Sequence, residues 1–110
     1  MIEEALRAIA EPHRRQILKL VLEEERSAGD IASHFDVTRP AISQHLRVLQ
    51  SAGLVNVRRE GTKRIYHVRP AGLEELREFL SDFWGDGLAR LKDVAEGDDH
   101  SSDIDQGGPL

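Results

Sequence analysis

The sequence predicts a mainly helical domain with one small β-hairpin. Three observations predict it. Residues 38–52, TRPAISQHLRVLQSA, have helical periodicity, with apolar and polar side chains on separate lines. A short helical stretch, AGDIASHF, ends just upstream. After Gly53 the apolar period changes from 3.6 to 2. At 110 residues the chain suffices for one domain with a modest core. A domain this small buries roughly 60–70% of its unfolded surface, so a second copy would add needed burial.

Taken in order, residues 2–10 form a first helix with Ile2, Ala5, Leu6 and Ile9 on one side. So short a helix is marginal alone and must pack on something. Glu11-Pro12 opens a second helix, EPHRRQILKLVLEEE, because proline suits the first helical positions. Its apolar stripe is Ile17, Leu18, Val21 and Leu22. Ser27-Ala28-Gly29-Asp30 resembles a capping box and starts AGDIASHF, with Ile31 and Phe35 inward. Asp36-Val37 turns tightly into the next helix.

That helix carries the argument. Thr38 is its N-cap, its hydroxyl accepting from a free amide of the first turn. Pro40 is tolerated because an amide so early has no helical partner. At about 100° per residue, Ile42, Leu46 and Leu49 share one line, flanked by Ala52 and His45. Arg39, Ser43, Arg47 and Gln50 share another, with Gln44 further round. Gly53 supplies the left-handed residue that ends the helix. Two helices, a connection of three or four residues and an amphipathic second helix match helix-turn-helix geometry.

LVNVRRE, GT and KRIYHV then read as a hairpin. Val55 and Val57 alternate with Asn56 and Arg58. Two strands alone are not stable, so the hairpin leans on the helices and projects its tip as a wing. Pro70 ends it, and a last helix runs from about Ala71 to Val94. Leu73, Leu76, Leu80, Phe83, Trp84, Leu88 and Leu91 recur there at helical spacing, more apolar surface than a small core needs. With Leu6 and Ile9 of the first helix they are expected to form a dimer surface. Gly85 and Gly87 weaken this helix by about 1 kcal/mol each against alanine, enough to kink or fray it. Residues 1–94 thus form one winged helix-turn-helix domain, dimerising through its first and last helices. Residues 95–110 form an acidic, polar tail expected to remain disordered.

The net charge of −5 argues against a nucleic-acid partner until it is divided. Residues 1–69 hold 12 Lys/Arg against 9 Asp/Glu, whereas residues 70–110 hold 3 against 11. Between Asp36 and Arg69 there are 7 basic and 2 acidic residues. A polyanion senses charge within about one Debye length, roughly 10 Å, so the local excess matters more than the total. Thr38, Arg39, Ser43, Gln44 and Arg47 are the candidate DNA contacts of the helix, since arginine and glutamine can each make paired hydrogen bonds to a base edge. Arg58, Arg59, Lys63 and Arg64 are the candidate wing contacts to phosphate or minor groove. Strand alternation puts Arg58 and Arg59 on opposite faces, so only part of this cluster can touch DNA at once.

These residues resemble the ArsR family of bacterial winged-helix repressors over about residues 3–92. Ala41-Ile-Ser-Gln-His-Leu-Arg-Val-Leu-Gln-Ser-Ala-Gly-Leu-Val is close to the family's S-x-H-L-x-x-L-x-x-A-G-L-V. Arg58-Arg-Glu-Gly-Thr-Lys-Arg-Ile-Tyr resembles its wing, and Ala10-Glu-Pro-His-Arg-Arg-Gln-Ile-Leu its entry into the second helix. The resemblance implies a homodimer that binds DNA through recognition helix and wing, with autoregulation in many members; two-fold symmetry then predicts a pseudo-palindromic DNA operator. The metal-sensing branch carries Cys-x-Cys near the third helix or Asp/His clusters on the last. This chain has no cysteine, and its last helix offers Asp82 and Asp86 without histidine. No cofactor or metal is therefore expected. His13, His34 and His67 are scattered in the chain, and His45 flanks an apolar stripe where packing or hydrogen bonding suits it.

No nucleophile–base pair or glycine-rich phosphate loop argues for an enzyme. No apolar run nears the roughly 20 residues of a membrane span, and the acidic start MIEEALRAIAE is unlike a secretion signal. A soluble cytoplasmic regulator is expected. Two rival readings are a small-molecule-responsive sensor-repressor, with a ligand between the last helices, and a winged-helix protein-interaction module. No effector is indicated by the residues.

Overall fold

The helix-start signals act where the sequence places them. The Glu11 carboxylate accepts from the Arg14 amide at 3.0 Å, Ser27 Oγ from the Asp30 amide at 3.0 Å, and Thr38 Oγ1 from the Ala41 amide at 3.2 Å. Each satisfies an amide that has no partner within its helix. The computed structural model describes residues 2–97. In order these form α1 (Ile2–Ile9), α2 (Pro12–Glu23), β1 (Arg26–Ser27), α3 (Ala28–Ala32), α4 (Arg39–Ser51), β2 (Val55–Glu60), β3 (Lys63–Val68) and α5 (Pro70–Gly97). They divide into two units after Arg77, within α5.

The first unit holds the core. Ile17, Ile31, Ile42, Leu46, Leu49, Leu54 and Val55 are its largest fully buried side chains. They come from α2, α3, α4 and the start of the hairpin, so the polar line of α4 is left outward. Gly53, at φ +79°, takes the left-handed conformation that turns the chain from α4 toward β2. The Arg69 amide donates to the Leu54 carbonyl at 2.9 Å as the chain leaves β3. Directly after it, Gly72 packs so closely that a Cβ there would lie 1.9 Å from the Gly53 carbonyl oxygen.

Several details depart from the expected elements. The sheet has three strands, ordered β1-β3-β2 and antiparallel throughout. β1 pairs Arg26 with Tyr66 and Ser27 with Ile65; two residues are too few to show an alternating pattern in sequence. Leu20, not Leu22, completes the buried side of α2, and Leu22 is 54% exposed. α3 stops at Ala32, and tighter bonds from the His34 amide to Ile31 and the Phe35 amide to Ala32 follow it. Pro70 begins α5 rather than merely ending the hairpin. The helix continues through Gly85 and Gly87 to Gly97, so residues 95–97, expected in the tail, are helical. The remaining tail, from Asp98, lies outside the described residues.

Leu76, expected at the dimer surface, is buried in the first unit. Leu6, Ile9 and Leu73 are half-buried there. In the second unit Leu80 is half-buried, whereas Phe83, Trp84, Leu88, Leu91 and Val94 are each about half exposed or more. Phe79 stacks on Phe83 with ring centroids 6.3 Å apart, and Trp84 meets Phe83 edge-on at 5.5 Å. No described helix is long and apolar enough to cross a membrane.

Candidate nucleic-acid interface

α4 presents a row of donors because its other side is fully used. Ile42, Leu46 and Leu49 are at most 1% exposed, which fixes the rotation of the helix about its axis. Arg39, Ser43, Gln44, Arg47 and Gln50 are consequently exposed. The helix contains no Asp or Glu to neutralise its arginines. Arg47 Nη1 donates to Gln44 Oε1 at 2.7 Å, which orients the glutamine amide and leaves its NH2 group to donate outward. Arg39 has no hydrogen-bond or ion-pair partner among the described residues. Thr38 spends its oxygen as an acceptor in the cap but keeps its hydroxyl proton to donate.

The hairpin sorts its cations by face. Gly61, at φ +64°, sits in the turn between the paired residues Glu60 and Lys63. The register puts Arg59 opposite Arg64 on the face shared with Val57 and Tyr66. Like charges facing each other across strands repel, and a bound anion relieves that repulsion. Among the described residues Arg59, Lys63 and Arg64 have no acidic partner. Arg58 does. Its Nη2 donates to Glu25 Oε1 and Glu60 Oε2, each at 2.8 Å. The hydrogen bond to Glu25, then that to Glu60, raises the guanidinium's hold on its proton; in return Arg58 lowers the Glu25 carboxyl below its ordinary range. Arg58, counted from sequence among the wing's phosphate contacts, is thus neutralised locally and ties β2 to the segment before β1.

Sequence reasoning missed two clusters. Arg26, its side chain only 11% exposed, donates to the Leu20 carbonyl, Glu23 and Asp30, joining the end of α2 to α3. Only the β1 pairing, invisible in the sequence pattern, shows why it is held there. Glu11, His13 and His45 also meet, although His45 lies 32 residues beyond His13. His13 Nδ1 is 2.9 Å from Glu11 Oε2, and the two imidazoles stack with centroids 5.4 Å apart. The hydrogen bond from His13 is the main reason the Glu11 carboxyl falls to about 2. His45 has its pKa lowered, chiefly by burial and against the pull of Glu11. It therefore packs and hydrogen-bonds behind α4, away from the donor row.

The comparisons with known proteins agree with this geometry. The model of the bacterial regulatory protein family arsR matches residues 11–57, from the α2 cap through α4 into β2. The HTH-type transcriptional regulator Rv2034 of Mycobacterium tuberculosis is 42% identical over 100 residues, 88% of this chain and 92% of its own length. This chain belongs to the arsR family of bacterial regulatory proteins. As an ArsR-family member it is a DNA-binding transcriptional regulator of winged helix-turn-helix fold. A solved structure described as a possible transcriptional regulator for arsenical resistance superposes with a TM-score of 0.73 at 45% identity, covering 84% of this chain and 95% of that one. The homodimeric winged helix-turn-helix DNA-binding domain of Mb0332 from Mycobacterium bovis superposes at 0.61 with 33% identity, covering 74% and 78%.

Proposed function

We propose that this ArsR-family protein is a homodimeric repressor that covers a promoter from the cytoplasm. Each subunit lays α4 in a major groove, where Arg39, Ser43, Gln44 and Arg47 meet base edges and phosphates. Arg59, Lys63 and Arg64 of the wing hold flanking backbone. The observation that carries this reading is the exposed, acid-free donor row of α4 together with three wing cations that have no acidic partner among the described residues. The homodimeric state of the Mycobacterium bovis domain supports a two-copy assembly. So does the apolar run of α5 from Phe83 to Val94, which a second copy would cover. A two-fold dimer requires a pseudo-palindromic operator, with half-sites about one turn, roughly 34–36 Å, apart.

Arg47→Ala tests the reading helix. Its guanidinium is exposed and so is its hydrogen-bond partner, Gln44, so the fold should survive. The expected result is a loss of about 1–3 kcal/mol of specific binding and relaxed preference at one base position, read by fluorescence anisotropy on single-base operator variants. Unchanged affinity and preference would remove Arg47 from the reading face. Arg64→Ala behaves differently. It should weaken all sequences alike and lower the slope of log affinity against log salt by about one unit. Arg58→Ala, whose charge is already paired, should leave that slope unchanged.

A second reading has one observation in its favour. A cleft of about 450 Å³ lies between α1 and α4, and Gln44 and Arg47 form part of its wall with Arg7, Arg14 and one carboxylate, Glu4. An acidic small molecule seated there would engage the same side chains as DNA and compete with it. A thermal shift with such a molecule, together with loss of operator binding, would establish the sensor form.

A further inference from the structure

We propose that Glu11, His13 and His45 form a binding site for a divalent transition-metal ion of the Zn²⁺, Co²⁺ or Ni²⁺ class. Two imidazoles and one carboxylate are a donor set that such ions accept. The three side chains each bring a donor atom within 4.8 Å of the others. Glu11 Oε2 lies 2.9 Å from His13 Nδ1, and Glu11 Oε1 lies 3.9 Å from His45 Nδ1. Tetrahedral bonds of about 2.0–2.2 Å to one ion place neighbouring donor atoms about 3.3–3.6 Å apart, near the separations here. One imidazole must turn out of the stack, whose rings lie 8° from parallel, to aim its lone pair at the shared ion.

The site is built and reachable. Glu11 is fixed by capping α2, its Oε1 accepting from the Arg14 amide and facing His45 while Oε2 meets His13. His13 packs against Phe35 at 5.9 Å and stacks on His45 at 5.4 Å, which keeps the two imidazoles side by side. Side-chain exposures of 31%, 42% and 19% for Glu11, His13 and His45 leave a path from solvent. One neighbour opposes binding. Arg14 Nη1 is 3.4 Å from His45 Nδ1, and its guanidinium is anchored on the Ala8 carbonyl at 2.7 Å. The ion must take that histidine nitrogen from Arg14, with Glu11 offsetting the added charge. Because Glu11 and His13 open α2 and His45 sits on the back of α4, a bound ion ties these two helices together. The expected absence of metal rested on the missing cysteines, the last helix without histidine and the scatter of the histidines in the chain; this triad forms only when α2 and α4 pack.

The test uses the full chain, free of any purification tag and stripped of metal, titrated with Co²⁺ alone. The expected result is one equivalent per chain with visible d–d absorption, and its displacement by Zn²⁺. His13→Gln changes a half-exposed ring and should weaken Co²⁺ binding by about tenfold or more, while a melting curve reports that the fold is retained. Asp98, Asp99, His100, Asp103 and Asp105 remain in that variant, so binding by the tail would persist in it unchanged. Binding that survives His13→Gln, or no d–d band in the parent chain, overturns the site. Both readouts are independent of DNA and stand apart from the proposed repressor function.

Discussion

Replacing Leu88 and Leu91 together by glutamate is expected to leave a folded monomer that has lost about 100-fold or more in operator affinity. Both side chains are more than half exposed in the single chain, so the first unit's core does not depend on them. They share the helical run of Phe83, Trp84 and Val94, whose apolar surface has no cover within the described residues. Covering that surface with its counterpart removes it from water, at roughly 25 cal/mol per Å². Two carboxylates in such a seam face each other undersolvated and unpaired, and the seam opens. A monomer then binds one half-site without the linked second contact. Tethered second contacts add about 10²–10⁴ in avidity, which sets the size of the loss. Sedimentation velocity and anisotropy on the same samples check both parts. An intact dimer with unchanged affinity would place the seam elsewhere. Leu76→Glu is a different experiment, because Leu76 is buried in the core and its loss acts on folding.

Gly72→Ala is expected to destabilise the protein, against the ordinary rule for helices. Alanine inside a helix gains about 1 kcal/mol over glycine. Here the added Cβ would sit 1.9 Å from the Gly53 carbonyl oxygen and 2.9 Å from its carbon, so the backbone of one segment must move. Overpacking of this kind costs about 1–3 kcal/mol or more, and the obstacle is main chain rather than a flexible side-chain end. Gly53 cannot yield easily, since its φ of +79° belongs to the turn between α4 and β2. Thermal unfolding should show the melting temperature fall by several degrees, on a scale of about 4–8 °C per kcal/mol for a chain this size. A rise would show that the start of α5 can shift away from the turn at no cost.

The contrast between these two sites shows what the sequence could and could not carry. Ile42, Leu46 and Leu49 were legible because burial along one helix leaves a period, and that period also predicted which side chains of α4 face outward. The hairpin was legible for the same reason, with Gly61 marking its turn. Contacts between residues far apart in the chain leave no such period. Gly72 reads as a poor helix former until Gly53 is seen beneath it. His13 and His45 read as scattered until α2 and α4 are packed. Arg58 and Arg59 are adjacent and chemically alike, yet Glu25 of another segment neutralises only the first. β1 is too short to have a pattern, so the order β1-β3-β2 had to come from the structure.

The most direct test of α4 as a paired DNA probe is hydroxyl-radical footprinting of the full chain on an operator selected from genomic fragments. Two protected patches centred about one helical turn, roughly 34–36 Å, apart are expected, both fading when Arg39 and Arg47 are replaced by alanine. A dimer that persists in solution yet protects selected DNA no better than random DNA at moderate salt would contradict the account.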